Sequence, residues 1–185
     1  MSNRESYMPG SAAGAEVRKD GDNWTLILVR KLRHPQARVW QALTDPAHLS
    51  EWAPFDANRN LATVGPVKLS TVGTPQVAET VVKRAEAPRL LEYSWGGDLR
   101  WELEPLASGT RLTLWHNIDR GYISWGAAGW HICFDVLERL LAGEPMGRIV
   151  GADAIQFGGW QRLNAEYAEQ FGVEAPGWTP STPKR

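Results

Sequence analysis

WGAAGWHICFDVLERLLA, residues 125–142, is the stretch that decides the fold. At 3.6 residues per turn, Gly129, Ile132, Cys133, Val136, Leu137 and Leu140 fall on one arc of a helix. Trp130, Phe134 and Leu141 widen that arc to roughly half the circumference, and His131, Asp135, Glu138 and Arg139 take the rest. A surface helix needs an apolar stripe only about 100° wide. The excess predicts a helix buried on two sides, lying across a sheet and covered by a further element.

The preceding chain supplies the sheet. Leu90–Trp95, Leu99–Glu104 and Arg111–Asn117 follow one another closely, separated by Gly96-Gly97-Asp98 and Ser108-Gly109. Such spacing predicts an antiparallel meander. Alternation puts Leu91, Tyr93 and Trp95 on one face, with Trp101 and Leu103, and with Leu112, Leu114 and His116. Glu92, Arg100, Glu102, Glu104 and Arg111 stand opposite, so one face is covered and one is wet. Val67–Val72 and Gln76–Ala85 read as a further strand pair turning at Gly73-Thr74-Pro75. Residues 54–66 read as loop with a short strand.

Nearer the start, Trp24–Leu32 is a strand rich in branched residues, after a turn at Asp20-Gly21-Asp22. Pro35–Leu43 is a short helix with Pro at its first position. Asp45-Pro46 opens a second, Asp as N-cap and Pro at N1, running to about Trp52. After the long helix, residues 143–151 read as loop. Ala152–Phe171 reads as one helix with Phe157, Trp160, Asn164, Tyr167 and Phe171 on a face, capped by Gly172, and is the candidate second cover. Residues 1–14 are expected to be a disordered tail, 15–172 a single domain and 173–185 an extended tail.

The totals restrict the function. A chain of 185 residues can bury about 70% of its unfolded surface in one core. A net charge of −1 and a pI near 6.4, with no basic stripe, argue against a nucleic-acid partner. No apolar run approaches the ~20 residues of a membrane span, and the N-terminus lacks the apolar centre of a signal peptide. The single cysteine, Cys133, excludes an internal disulfide and suits a reducing cytoplasm. The 10 tryptophans are numerous enough to line a cavity or an interface as well as fill a core.

Several ordered motifs resemble one known family. HPQARVWQALTDPAHLSEW (34–52) is similar to the Pro-x-x-x-Val-Trp-x-x-x-Thr-Asp-Pro segment that opens the START-like (SRPBCC) superfamily. APRLLEYSW, LRWELEPLASGTRLTLWH and GWHICFDVLERLLAGEP continue the match, which looks like the activator-of-heat-shock-ATPase homologue (Aha-type) branch. The ordered set spans residues 24 to 171. It implies an α+β helix-grip fold, with a curved antiparallel sheet around a long C-terminal helix, two short helices after the first strand and one extra helix at the end. It also implies a hydrophobic-ligand cavity, and does not of itself imply chaperone activation. LATVGPVKLSTVGTPQ (61–76) departs from the pattern, so the cavity mouth there is expected to be differently built.

The candidate cavity wall is Tyr93, Trp95, Trp101, Leu103, Leu114 and His116 from the sheet, with Gly129, Cys133, Val136, Leu137 and Leu140 from the helix. Each also reads as ordinary core. His131 falls on the polar flank one turn before Asp135, which suits an i,i+4 pair rather than chemistry. His131 and Cys133 point about 200° apart and cannot clasp one ion. The other histidines, His34, His48 and His116, have no ligand spacing, so no metal and no cofactor are expected. Cys133 reads as a small hydrophobe, and Gly126-Ala127-Ala128-Gly129 as close packing of the helix start. No hydrolase or nucleotide motif occurs.

The leading expectation is a cytoplasmic binding module for a small hydrophobic or aromatic ligand, acting as monomer or homodimer, with no catalytic residue. A second is a cofactor-free cyclase or hydrolase of a polyketide-like substrate, using His116 with Tyr93. A third is a chaperone-regulator-like partner module, which would need an exposed apolar patch.

Overall fold

The computed structural model describes residues 6–175. Its frame is a six-stranded antiparallel sheet in the order β1 (Ala15–Asp20), β2 (Asn23–Leu32), β9 (Gly109–Asn117), β8 (Asp98–Leu106), β7 (Leu90–Ser94), β6 (Arg84–Glu86). The expected meander is β7-β8-β9, and its register sets Trp101 against Leu114 and Leu99 against His116. β1 carries Val17 as its one large apolar residue, too weak a pattern to announce a strand. It is held as the outer arm of a hairpin whose turn uses Gly21 at φ +60°.

The long helix is α3, Ile123–Leu141, entered through a short 3₁₀ turn at Arg120–Tyr122. It crosses the inner face of the sheet beside α1 (Gln36–Thr44) and α2 (Pro46–Trp52). Asp45 caps α2 as expected, accepting the Ala47 N–H at 2.9 Å. The architecture is an α+β helix-grip fold.

Two elements differ from the sequence reading. The stretch 76–85 is not one strand: β5 (Val77–Val82) pairs with β4 (Gly65–Thr71), which also pairs with β3 (Phe55–Ala57), in a separate three-stranded sheet. The chain then bends at Lys83, whose N–H bonds to Glu92 O at 2.8 Å, and joins the main sheet as β6. The expected helix 152–171 is likewise two: α4 (Gly151–Gln156) and α5 (Gly158–Phe171), broken where Phe157 takes extended angles before Gly158-Gly159. Glycine there has the weakest hold on the helix. A side chain at Gly159 would also lie 2.6 Å from the Pro9 ring, so the position is fitted to the N-terminal segment.

That segment corrects a third expectation. The described part of the stretch read as a disordered tail, residues 6–14, is packed along α3 and α5. Tyr7 is buried, stacks on Phe157 with centroids 5.7 Å apart, and donates its hydroxyl to Asp135. Arg162 donates to the Pro9 and Gly10 carbonyls, and Tyr167 donates to Ala13 O at 3.0 Å. Composition could not show this, because the segment is held by partners about 130–155 residues away. Most of the expected C-terminal tail, residues 176–185, lies outside the described residues.

α5 and residues 6–14 together bury the flank of α3 that looked polar. His131 is buried, with Nδ1 2.7 Å from the Tyr167 hydroxyl and Nε2 3.7 Å from Asp135. Asp135 also receives Arg30 from β2 at 2.7 Å. The expected i,i+4 pair forms, but beneath a cover rather than in water. Leu140, expected in the packed arc, is half-buried, and Leu141 takes the inward position.

Candidate functional site

Between the N-terminal half of α3, the tips of β7 and β9, and the stretch from Ile149 to Trp160 lies a cavity of about 390 Å³. That is within the usual range for small-molecule sites. Its position follows from three residues of α3. Trp125, Gly129 and Cys133 recur every four positions and so share a face. The large indole at one end and small residues after it leave a hollow. A Cβ built on Gly129 would meet nothing within 4 Å. Gly126, by contrast, is packed hard against Ile118.

The sheet side is made by Trp95, Gly96 and His116. Trp95 follows β7, and its indole N–H donates to Thr71 Oγ1 at 3.0 Å. His116 is tied at both nitrogens: Nδ1 accepts the Trp130 indole N–H at 3.0 Å, and Nε2 lies 3.1 Å from Trp95 O. An indole can only donate, so Nδ1 is bare and Nε2 carries the proton. Burial pushes the His116 pKa down to about 4, against the opposing pull of the Trp95 and Gly96 carbonyls.

The far wall comes from residues that the sequence reading left out of the site. Ile149, Val150, Ala154, Ile155 and Trp160 close the cavity opposite α3. Trp160 packs edge-to-face on Trp125, centroids 5.4 Å apart. Arg148 fixes the approach to this wall: its guanidinium bonds to Leu49 O at 2.9 Å and Asp56 Oδ1 at 2.9 Å. Tyr122, 57% exposed, stands at the rim.

Of the sequence-predicted wall, Trp95, His116, Gly129 and Cys133 line the cavity. Tyr93, Trp101, Leu103, Leu114, Val136 and Leu137 do not; they are fully buried in the packed layer beneath it, and Leu140, half-buried near the C-terminal end of α3, does not line it either. Trp101 lies edge-on to Trp130 at 5.5 Å and donates to the Tyr93 hydroxyl at 3.1 Å. Tyr93 and His116 therefore each bond to tryptophan, not to one another, and the acid–base pair of the enzyme reading is not assembled. Burial raises the Tyr93 pKa and pushes the Cys133 thiol up to about 12, so neither ionises readily. The Trp125-x₃-Gly129-x₃-Cys133 spacing was the available signal for where the hollow lies; the α4 wall had none, because its place depends on the break at Phe157. Among the described residues, no three His, Cys, Asp or Glu side chains gather as a metal set, and no helix is long and apolar enough to cross a membrane.

The family model for activator of Hsp90 ATPase homolog 1-like proteins matches residues 33–142. The chain belongs to this family. The match runs from before α1 to the end of α3, so β1, β2, α4, α5 and the N-terminal segment lie outside it. No curated protein matches the chain. Solved structures share the fold at low identity. A conserved protein of unknown function from Enterococcus faecalis, EF2215, is similar at 15% identity with a TM-score of 0.67, covering 86% of this chain and 92% of its own. CalU16 from Micromonospora echinospora is similar at 20% identity, TM-score 0.62, with 86% and 97% covered. An AHSA1-like protein from Aeromonas hydrophila is similar at 16% identity, TM-score 0.53, with 64% and 92% covered.

Proposed function

We propose that this protein binds a small hydrophobic or aromatic molecule in the cavity beside Gly129. The observation that carries the reading is the open space over Gly129, inside a wall of tryptophan and aliphatic side chains. A glycine inside a helix costs about 1 kcal/mol relative to alanine. Here no neighbouring atom requires it, so folding alone gives no reason for the hollow. Ligand binding supplies one.

The enzyme reading ranks second, because His116 is fully hydrogen-bonded and Tyr93 is sealed in the core. The partner reading ranks third. Among the described residues the large exposed apolar side chains are Met8, Val29, Val64, Val77, Val81 and Tyr122; none of these is a tryptophan, and they are dispersed over the N-terminal segment, β2, a loop, β5 and the 3₁₀ turn. Scattered single residues of this kind need no partner.

The test is Gly129→Leu, which fills the hollow from the helix side. Thermal-shift screening of a panel of aromatic and aliphatic compounds should find binders for the parent, and Gly129→Leu should weaken them at least tenfold while melting no lower. Native mass spectrometry of the protein from its own source should show a retained small molecule. Binding that Gly129→Leu leaves untouched would place the site elsewhere, and a panel with no binder would remove the reading.

A further inference from the structure

We infer that the cavity selects an uncharged, planar aromatic ligand of two or three rings, and turns away carboxylates and amines of the same shape. Such selectivity presupposes the ligand-binding role proposed above and sharpens it to a chemical class. None of the residues lining the cavity is charged. An ion entering it would lose its hydration and meet no counter-charge, which is the most expensive kind of burial.

The wall offers few hydrogen bonds: the Trp125 indole N–H is a buried donor with no partner among the described residues, and it carries no charge. His116 is its most polar interior side chain, and both ring nitrogens are already taken by Trp95 and Trp130. It cannot become a cation for an acid: a proton on Nδ1 would face the Trp130 N–H at 3.0 Å. The low pKa of about 4 agrees with that geometry. The Trp95 indole N–H is spent on Thr71. The side-chain hydroxyl of the wall is that of Tyr122, at the exposed rim, and it makes no hydrogen bond among the described residues. The wall thus leaves the Tyr122 hydroxyl at the mouth and the Trp125 indole N–H to meet a neutral polar group, and no charge to meet an ion.

Shape and size point to rings. Trp95, Trp125, Trp130 and Trp160 surround the space. Within it Trp95 meets Trp130 at 80° and Trp125 meets Trp160 at 73°. Flat ligands can extend such edge-to-face packing. The volume of 390 Å³ equals the room of roughly 13 waters at about 30 Å³ each, which suits a two- or three-ring molecule. Indole faces do attract cations. Trp130, however, is already packed against Trp95, Trp101 and His116, with centroids at 6.0, 5.5 and 5.9 Å, which limits its free face.

The experiment titrates three probes of one shape, 2-naphthylmethanol, 2-naphthoate and 2-naphthylmethylammonium, into the full chain by calorimetry at pH 7. The alcohol should bind at least tenfold more tightly than either ion. Ile155→Lys places a cation on the half-buried α4 wall; with its fold checked by circular dichroism, it should narrow the gap between alcohol and naphthoate at least threefold and leave the ammonium weak. Either ion within tenfold of the alcohol on the parent protein overturns the inference, and leaves ligand binding standing. So does an Ile155→Lys variant that binds the alcohol but leaves the naphthoate gap unchanged. If none of the three binds while a panel compound sensitive to Gly129→Leu does, the aromatic class is wrong and the binding role survives. If neither the probes nor the panel bind, both fail.

Discussion

The indole N–H of Trp130 points at Nδ1 of His116, 3.0 Å away, and fixes that histidine as a neutral tautomer. The two residues join α3 to β9 across the inner edge of the cavity. Neutrality here is structural, since the bond requires a bare nitrogen.

A pH dependence follows from this bond. Unfolded, His116 takes up a proton near pH 6.5; folded, it resists until about pH 4. The unfolded state binds more protons in between, so stability is full above about 6.5 and falls as pH drops towards 4. At about 1.4 kcal/mol per pH unit the loss approaches about 3 kcal/mol. Burial lowers the His131 pKa too, which adds loss in the same direction. Urea unfolding at pH 7.5, 6 and 5 should show the decline, and His116→Gln, which keeps an acceptor and a donor but does not titrate, should flatten it. A flat parent profile would mean that His116 is not locked.

Leu137 tests the packed layer beneath the cavity. It is wholly buried on α3, among sheet and α-helical neighbours. Leu137→Ala should cost about 2–5 kcal/mol, the range for cavity-forming substitutions. Chemical denaturation measures it; a cost under about 0.5 kcal/mol would mean that the face of α3 is wrongly assigned.

Tyr7 tests the N-terminal segment. Its hydroxyl donates to Asp135, which Arg30 also holds at 2.7 Å. Hydrogen bonds to charged groups contribute about 1.5–3 kcal/mol. Tyr7→Phe keeps the ring against Phe157 and deletes only the donor, so it should destabilise by about 1–2 kcal/mol, the partial exposure of the Asp135 side chain keeping the figure to the low end. Melting of the full chain reads this directly. An unchanged midpoint would mean that residues 6–14 add no stability through this contact.

These sites also show what the sequence could and could not disclose. The helix grip was legible because α3 and the β7–β9 meander each carry a strong period, 3.6 in one and 2 in the other. Asp45-Pro46 announced α2 by its capping chemistry. The cavity was half legible. Alternation correctly placed Trp95 and Trp101 on one face, but a face cannot say which of its residues meets a void and which meets another side chain. That is decided by what lies opposite: Trp52, Trp130 and Phe134 fill the space over Trp101, while Gly129 leaves space beside Trp95. The cover from α4 and residues 6–14 depends on contacts between the two ends of the chain, for which local patterns carry no signal.

The division between Trp95 and Trp101 gives the last prediction. Both indoles sit on the inner face of neighbouring strand segments, and sequence alone makes them equal candidates to touch a ligand. The structure separates them. Trp95 is half-buried and lines the cavity, whereas Trp101 is fully buried and hydrogen-bonded to Tyr93. A ligand seated beside Gly129 would change the polarity around Trp95 and leave that around Trp101 nearly constant. Intrinsic fluorescence titrations with 2-naphthylmethanol would confuse probe and protein emission, so the titrant should be a non-fluorescent neutral binder from the panel. Trp95→Phe should shrink the spectral response markedly, with affinity changed less than about tenfold, because the wall stays apolar. Trp101→Phe should keep the response and instead lower the melting temperature, since it removes core packing and leaves the Tyr93 hydroxyl without its donor. The reverse pattern, with the response lost in Trp101→Phe and kept in Trp95→Phe, would move the binding site from the edge of the helix grip into its packed centre.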